Sequence, residues 1–183
     1  MREIEKDLIE KAARGDGAAF REIYDRTSGY VYTLAYRVTG MKHDAEEVTQ
    51  DVFVRLYRSL GSFKFEASFK TWLYRVTVNS ALNHSKKWKG IRMKERGEIR
   101  EDIEATDASE VSKSLEKEDA GREAKGFLER LNPDQRACLV LREIEGMNYA
   151  GIAETLGINL NTVRSRLKRA RESLVRMGRR GGE

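Results

Sequence analysis

The sequence predicts an all-α protein made of two small helical domains joined by a flexible acidic linker. Apolar residues recur at helical spacing through both ends of the chain, and no segment of useful length alternates with the two-residue period of a strand. Residues 95–122 contain few apolar residues and carry a net charge of −5, which is typical of a solvated tether. We therefore expect helical domains at residues 1–94 and 123–183, with residues 95–122 as the linker.

The first domain is predicted to be a bundle of four helices. A first apolar stripe runs from Ile4 to Ala12. A second ends near Gly40, a residue suited to the left-handed position after a helix. Asp44 is the predicted N-cap of the third helix. After a loop at residues 61–68, a fourth helix is expected over residues 69–87.

The second domain is predicted to begin with two helices. Phe127, Leu128 and Leu131 close the first of them. Asn132 followed by Pro133 is a strong start signal for the next, because asparagine caps a helix and proline suits its first turn. We expect that helix to carry an apolar stripe that reaches Ile144, and to end at Gly146.

The remaining residues of this domain have the pattern of a helix-turn-helix. Asn148 is the predicted cap of a short helix, and Gly157 permits the left-handed backbone of a tight turn. The second helix of the motif is expected to start at Asn161 or Thr162. Its apolar residues recur at steps of four, three and four, and so should face the domain core. They are Val163, Leu167, Ala170 and Leu174.

The basic residues of that last helix favour DNA binding over an ordinary solvated face. Five lie within residues 164–171. In this motif the second helix enters the major groove with its N-terminal residues near base edges, so Arg164 and Ser165 are predicted base contacts and Lys168 a third. The other candidates are assigned to phosphates or to the start of the helix. They are Thr162, Arg166, Arg169 and Arg171.

The charge pattern points to two surfaces for one polyanion. The net charge is +6 over residues 1–94 and +4 over residues 123–183, and residues 67–94 include no acidic residue. Aromatic and basic residues alternate in residues 62–89, a combination that holds melted single strands by stacking and by phosphate contacts. For Trp72 and Tyr74, packing in the core is an equally good explanation. The candidate strand contacts are Phe63, Lys64, Phe65, Lys70, Trp72, Arg75, Asn79, Ser80 and Asn83.

Composition and motifs argue against an enzyme, a cofactor or a metal centre. The two histidines, His43 and His84, lie far apart in the sequence, are expected at the surface, and form no convincing zinc site with Cys138. Cys138 sits in an apolar run and is expected in the core. A lone cysteine suits a reducing compartment. Neither a secretory signal nor an apolar run of about 18 residues occurs, so we expect a cytoplasmic protein with no membrane insertion.

The order of these segments resembles the bacterial sigma-70 family, and most closely its compact extracytoplasmic-function (ECF) group. The resemblance rests on "DAEEVTQDVFVRLYRSLGSF", "FKTWLYRVTVNSALNHSKK", an acidic linker and "NYAGIAETLGINLNTVRSRLKRARESL". It covers nearly the whole chain apart from the linker and the last residues. The combination is highly specific, although no single piece of it is.

The resemblance implies an ECF sigma factor that binds core RNA polymerase, recognises promoter DNA and helps to melt it. The first domain would be a region 2-like bundle that docks on the beta-prime clamp helices. It would also capture the melted −10 strand, with Asn79 associated with strand opening. The second would be a region 4-like helix-turn-helix domain that reads the duplex −35 element and contacts the beta flap. An anti-sigma factor is a further implied partner.

The resemblance also changes the interpretation of one helix face. On the sequence alone, the polar face of residues 44–60 is best explained as an ordinary solvated surface, because its charges are mixed. The matching positions in the family instead contact polymerase. The implied contacts are Glu47, Gln50, Asp51 and Arg55.

Three alternatives remain open from the residues alone. A helix-turn-helix regulator would explain residues 123–183 but not the aromatic and basic helix of residues 69–87, and it would footprint duplex DNA without polymerase. A nuclease would need metal-dependent cleavage of DNA. A decoy would bind polymerase without directing transcription. Loss of transcription in Arg164→Ala, with polymerase binding retained, would argue against it.

Overall fold

The computed structural model describes residues 3–96 and 131–180, and every regular element within them is helical. The prediction of an all-α fold is therefore confirmed. The chain divides into two compact units, Met1–Ser85 and Lys86–Glu183. The helices are α1 (Lys6–Ala13), α2 (Gly17–Thr39), α3 (Lys42–Ser59), α4 (Phe69–Arg96), α5 (Pro133–Leu139), α6 (Tyr149–Leu156) and α7 (Leu160–Arg180).

The core of the first unit is formed by the apolar stripes that the sequence predicts. Ile23 and Leu34 on α2 and Leu56 on α3 are all but fully buried, and Leu73 joins them from α4. A 3₁₀ turn, Leu60–Ser62, connects α3 to the loop of residues 63–68. Burial of these side chains supplies the main driving force for folding the unit.

The ends of the helices follow local chemistry in most places. Asp16 caps α2, since its carboxylate accepts from the backbone N–H of Ala18 at 2.9 Å and of Ala19 at 3.0 Å. Gly40 ends the helix at a φ of 82°, as predicted.

Two boundaries in this unit differ from the prediction. The third helix, α3, begins at Lys42, with Met41 at the N-cap, so Asp44 lies in the first turn and does not cap it. No side chain accepts a hydrogen bond at that cap, which explains why the sequence carries no signal for it. The fourth helix continues to Arg96, beyond the expected end at residue 87 and into the expected linker.

In the second unit, the start signal at Asn132 and Pro133 is confirmed. The Asn132 side chain accepts from the backbone N–H of Asp134 at 3.0 Å, and proline occupies the first turn of α5. The helix then widens into a π-helical turn, Val140–Ile144. Ile144 is 45% exposed, so the prediction that it belongs to the apolar stripe is wrong. The wider turn changes the helical register, so each side chain after it lies on a different face from the one that regular α-helical spacing predicts.

The helix-turn-helix consists of α6, a tight turn and α7. The Asn148 side chain caps α6, accepting from the backbone N–H of Gly151 at 2.7 Å, and Gly157 has a φ of 63°, both as predicted. The second helix begins earlier than predicted, at Leu160. Asn159 accepts from the backbone N–H of Thr162 at 2.8 Å, so Asn159, and neither Asn161 nor Thr162, supplies the cap.

Two further expectations fall on residues that the structure does not describe. Phe127 and Leu128, and all but the first two residues of the expected linker, lie outside the described residues. Within the described part of the chain, no helix is both long and apolar enough to cross a membrane.

The left-handed backbone at Gly40 gives a first prediction. We expect Gly40→Ala to destabilise the protein by about 1–2 kcal/mol, because a Cβ at positive φ clashes with the following carbonyl. Gly29 lies inside α2 with nothing within 4 Å of an added Cβ, so Gly29→Ala should stabilise by roughly 0.5–1 kcal/mol. Urea unfolding followed by circular dichroism measures both. Equal effects at the two positions would contradict the assigned conformation.

Candidate nucleic-acid interface

Burial of one stripe of α7 determines which of its side chains face outward. Val163, Leu167 and Ala170 are at most 1% exposed, as predicted, and Leu174 is half-buried. The helix therefore presents its charged side chains on the remaining faces. Five predicted DNA contacts are exposed. They are Arg164, Ser165, Lys168, Arg169 and Arg171.

The first turns of α7 hold these side chains with local hydrogen bonds. The Arg164 guanidinium donates from Nη1 to Oδ1 of Asn161 at 3.1 Å, and the Ser165 hydroxyl donates to the carbonyl of Thr162 at 3.0 Å. The Thr162 hydroxyl donates to the capping Asn159 at 2.9 Å. Asn161 thus orients the arginine that is the leading candidate for a base contact.

Arg166, predicted to contact a phosphate, is engaged inside its own domain. Its Nη2 lies 3.2 Å from Oδ1 of Asp134 on α5, and its side chain is only 24% exposed. It also lies beside Cys138, which is fully buried. Burial raises the pKa of the Cys138 thiol to about 11, although the nearby Arg166 charge opposes the rise. The pair with Asp134 ties α7 to α5.

Arg171 makes a second, more exposed contact with a carboxylate of its own domain. Its Nη2 lies 2.8 Å from Oε1 of Glu143, a residue of the π-helical turn. The hydrogen bond to that carboxylate, followed by one to Tyr149, raises the pKa of Arg171 above its usual value. Arg142 lies over the Tyr149 ring at 5.4 Å from its centroid. Arg171, which was predicted to contact a phosphate, therefore joins α7 to the π-helical turn and to α6.

Lys168 is strongly solvated. Its side chain is 78% exposed, and its ammonium lies 3.9 Å from the carboxylate of Glu172 one turn further along α7. A pair of this geometry at the surface contributes little to stability. The ammonium is therefore available to an anionic partner at small cost.

In the first unit, the aromatic candidates form one cluster around the loop of residues 63–68. The Phe63 ring lies 4.7 Å from that of Phe65, 5.0 Å from that of Trp72 and 6.0 Å from that of Phe69. Phe69 is buried, Phe63 and Trp72 are half-buried, and Phe65 is 39% exposed. Tyr74 is buried, so core packing, one of its two explanations, is the correct one.

The polar candidates on α4 do not share one surface. Arg75 and Asn83 are exposed, and Asn79 is half-buried. Ser80 is 5% exposed, and its hydroxyl is buried with no hydrogen-bond partner among the described residues. The prediction that Ser80 contacts a strand needs correction, because its side chain points into the core. Lys64 and Lys70 are exposed beside the aromatic cluster.

The predicted polymerase-binding face of α3 is exposed at Gln50, Asp51 and Arg55. Glu47 is held from two sides. Its Oε2 lies 2.8 Å from Nε2 of His84 on α4, and its Oε1 lies 3.1 Å from Nε2 of His43. The His84 side chain is only 9% exposed, so its predicted surface position is wrong.

Two residues that shape these surfaces were missed from the sequence. His84 contacts a carboxylate 37 positions away, and Lys6 lies over the ring of Phe65 at 5.1 Å from its centroid. Neither residue belongs to a local motif, so only packing of the helices reveals its partner. Despite the two histidines beside Glu47, the described residues contain no group of three or more side chains able to hold a metal ion.

These features together define a helix-turn-helix DNA-binding protein with a second, aromatic and basic surface in a separate unit. The chain matches the family model of sigma-70 region 2 over residues 23–90 and that of sigma-70 region 4 over residues 123–174. Each match covers one of the two surfaces described above.

Relatives match over most of the chain. It is 37% identical to the ECF RNA polymerase sigma factor SigE of Mycolicibacterium smegmatis, over 88% of this chain and 63% of that protein. It is 32% identical to the RNA polymerase sigma-H factor of Pseudomonas aeruginosa, over 94% of this chain and 92% of the relative.

A solved structure shares the fold. The sigma factor RpoE of Bartonella quintana, in complex with the anti-sigma factor NepR, superposes with a TM-score of 0.61 at 23% identity, covering 85% of this chain and 93% of that one. The chain belongs to the sigma-70 family, in its ECF group, and acts in transcription initiation.

The buried thiol gives a second prediction. With its pKa raised from 9.0 to about 11, Cys138 should react with iodoacetamide at pH 8 about 100-fold more slowly in the folded protein than in urea. The rate should climb as the pH approaches 11, since more thiolate forms. Because the sequence holds one cysteine, the labelled fraction measured by mass spectrometry reports on it alone. Equal rates with and without urea would contradict the assigned burial.

Proposed function

We propose that this sigma factor divides promoter recognition between its two units. Residues 123–183 read the duplex −35 element, residues 1–94 dock on core polymerase and capture the melted −10 strand, and residues 95–122 tether them. The observation that carries the proposal is the outward face of α7, where Arg164 and Ser165 stand exposed at the start of the helix. That is the end of a recognition helix that meets base edges.

At the −35 element we assign base contacts to Arg164 and Ser165, with Lys168 beside them. Arg169, exposed on the same helix, holds a phosphate. Arg166 and Arg171 contribute mainly by bracing, because each is engaged with a carboxylate of its own domain. The braces fix the angle at which α7 presents its outward face, which governs the geometry of any bidentate contact.

At the −10 element, the loop of residues 63–68 and the exposed side of α4 receive the melted strand. Phe65 offers an exposed ring for stacking, and Lys64, Lys70 and Arg75 offer charges for the backbone. The half-buried Asn79 sits at the margin of this surface, where it helps to keep the strands apart. Ser80 is left out of the assignment because it is buried.

Core polymerase engages both units. The clamp helices of its beta-prime subunit contact α3 through Gln50, Asp51 and Arg55, with Glu47 at the edge of the contact, while the beta flap contacts the second unit. Val54 and Tyr57 on α3 are 50% and 63% exposed, which supplies an apolar component beside these polar groups. The same surface suits an anti-sigma factor, which would silence the protein by covering it.

The protein works by binding and not by catalysis, in the cytoplasm where polymerase and chromosome meet. Each unit alone makes a modest DNA contact. Polymerase supplies the scaffold that fixes their separation, and so converts two weak contacts into one strong one. Free sigma factor should therefore bind promoter DNA poorly, and salt should weaken what affinity remains.

The defining experiment is run-off transcription with purified core polymerase and a pool of promoter-length DNA, followed by sequencing of the transcript starts. We expect discrete starts preceded by two shared motifs. Transcription that does not depend on the added protein, combined with binding of duplex DNA by the protein alone, would favour a helix-turn-helix regulator.

The same assay tests the assignment at the −35 element. Arg164→Ala should relax the preference at one base pair of the motif by about 10- to 100-fold, because a bidentate contact is worth about 1–3 kcal/mol of discrimination. Arg169→Ala is the matched control. It should weaken binding to every promoter alike. It should also lower the slope of log affinity against log salt concentration by about one. An unchanged motif with Arg164→Ala would refute the base contact.

The polymerase face is tested by binding of core enzyme. Asp51→Ala should weaken binding of the full chain to core polymerase by about tenfold, the size expected of a central interface residue. Asp25→Ala removes an exposed acid on α2, paired with Arg21, and should leave binding unchanged. Fluorescence anisotropy of the labelled chain measures both. Equal affinity of the two variants would place the docking face elsewhere.

A further inference from the structure

The loop of residues 63–68 contains an unusual backbone conformation. Phe65 has a φ of 57°, and it is the one non-glycine residue with positive φ among those that the structure describes. A large side chain rarely adopts this conformation, and it persists only where surrounding contacts hold it. Phe65 nevertheless keeps its ring partly exposed. Something must therefore hold an exposed ring in a strained position.

Two contacts hold the ring. Phe63 packs against it at 4.7 Å between centroids and is itself packed on Phe69 and Trp72, at the start of α4. From α1, the Lys6 ammonium lies over the ring at 5.1 Å from its centroid. An ammonium within about 6 Å of a ring centroid is attracted to the ring face. The ring of Phe65 is thus contacted from its own loop and from the N-terminal helix.

The position of Lys6 is fixed by the segment before it. Arg26 on α2 donates from Nη1 to Oε2 of Glu5 at 2.6 Å and from Nη2 to the carbonyl of Glu3 at 3.0 Å. The hydrogen bond from Arg26 lowers the pKa of Glu5 below its ordinary value, as expected for a carboxylate held in an ion pair. Ile4 and Ile9 are buried on either side of Lys6. The segment is therefore anchored by both apolar packing and an ion pair.

The anchored segment and the loop enclose a cleft. It has a volume of about 500 Å³ and is lined on one side by residues 3–6 with Ile9, and on the other by residues 65–69. Its shape depends on the conformation of Phe65, because that residue is part of its lining. Loss of the contact with Lys6 would let the loop relax and change the cleft.

We propose that Lys6 is a positioning residue, and that its contact with the ring of Phe65 holds the loop in the conformation that receives the melted strand. The inference rests on the proposed function, in which this loop contacts the −10 strand. Lys6 acts through Phe65 and needs no contact with DNA. The N-terminal helix thereby becomes a part of the strand-capture surface.

The first test uses the free, full-length protein and needs no DNA. Hydrogen exchange of the backbone amides of residues 64–68 should be about two- to fivefold faster in Lys6→Met, as expected from the strength of an exposed cation–π contact. Lys6→Arg keeps a cation over the ring and should restore slow exchange. Lys11→Met removes a cation from the same helix that pairs with Asp7 at 2.7 Å, and should leave the loop unchanged. Unchanged exchange in Lys6→Met would overturn the proposal.

Lys6 also pairs with Glu10 at 3.5 Å, so loss of that ion pair needs a separate control. Glu10→Gln removes it and keeps the contact with Phe65, and exchange in the loop should stay slow. Because the Lys6 side chain is 69% exposed, the variants should keep the fold, which thermal unfolding checks. Faster exchange in Glu10→Gln equal to that in Lys6→Met would assign the effect to the ion pair and overturn the proposal.

The second test measures strand capture by holoenzyme, with permanganate reactivity of melted thymines on a promoter found by run-off sequencing. Lys6→Met should lower the open fraction and Lys6→Arg should restore it, while binding through the −35 element stays unchanged. If Lys6 instead held a phosphate, the exchange rates would not change and the salt dependence of binding would fall by about one unit of slope. That result would overturn the proposal that Lys6 positions the loop.

Phe65→Ala separates failure of this inference from failure of the proposed function. If Phe65→Ala lowers the open fraction and Lys6→Met does not, the loop captures the strand and the role of Lys6 is refuted. If neither variant changes melting, the loop is not the strand-capture surface. The proposed role of the first unit in strand capture then fails, and the inference fails with it. This holds even if hydrogen exchange confirms the contact between Lys6 and Phe65.

Discussion

Burial of a single apolar stripe on α7 fixes the faces on which the charged side chains of residues 164–172 lie. With Val163, Leu167 and Ala170 in the core, helical geometry sets the direction in which each basic side chain leaves the backbone. Those next to the stripe meet the neighbouring elements of the domain, and those opposite it meet solvent. The helix therefore carries both arginines paired with carboxylates of their own domain and basic side chains that face solvent.

This division is visible in the partners of the arginines. Arg166 reaches Asp134 near the start of α5, and Arg171 reaches Glu143 in the π-helical turn. Arginine suits both positions, since its planar guanidinium matches the geometry of a carboxylate. A count of basic residues along such a helix therefore includes some whose charge is already paired within the domain.

Features set by neighbours in the sequence could be predicted, and features set by packing could not. Asn132 with Pro133, Asn148 and Gly157 mark their turns correctly, because a cap or a left-handed turn depends on residues within one helical turn. The start of α3 at Lys42 was missed since no side chain caps it. The exposed position of Ile144 follows from a π-helical turn that no local signal announces.

In the candidate site, too, local features could be predicted and features set by packing could not. The outward positions of Arg164 and Ser165 follow from the stripe and were predicted. Burial of Ser80 depends on how α4 lies in the bundle, and a polar face drawn from spacing alone misplaced it. The contact between Lys6 and Phe65 joins residues that are distant in the chain, and so becomes visible only when α1 is packed against the loop.

The hydrogen bond between His84 and Glu47 has a thermodynamic consequence for docking. It joins α4 to α3, and the same carboxylate stands at the edge of the face assigned to polymerase. A partner cation that recruits Glu47 competes with His84 for it. The two interactions are then thermodynamically linked. If docking weakens the contact between α3 and α4 by a given free energy, the intact contact weakens docking by the same free energy. On the proposed docking face, one side chain thus links the affinity for a partner to the internal cohesion of the bundle.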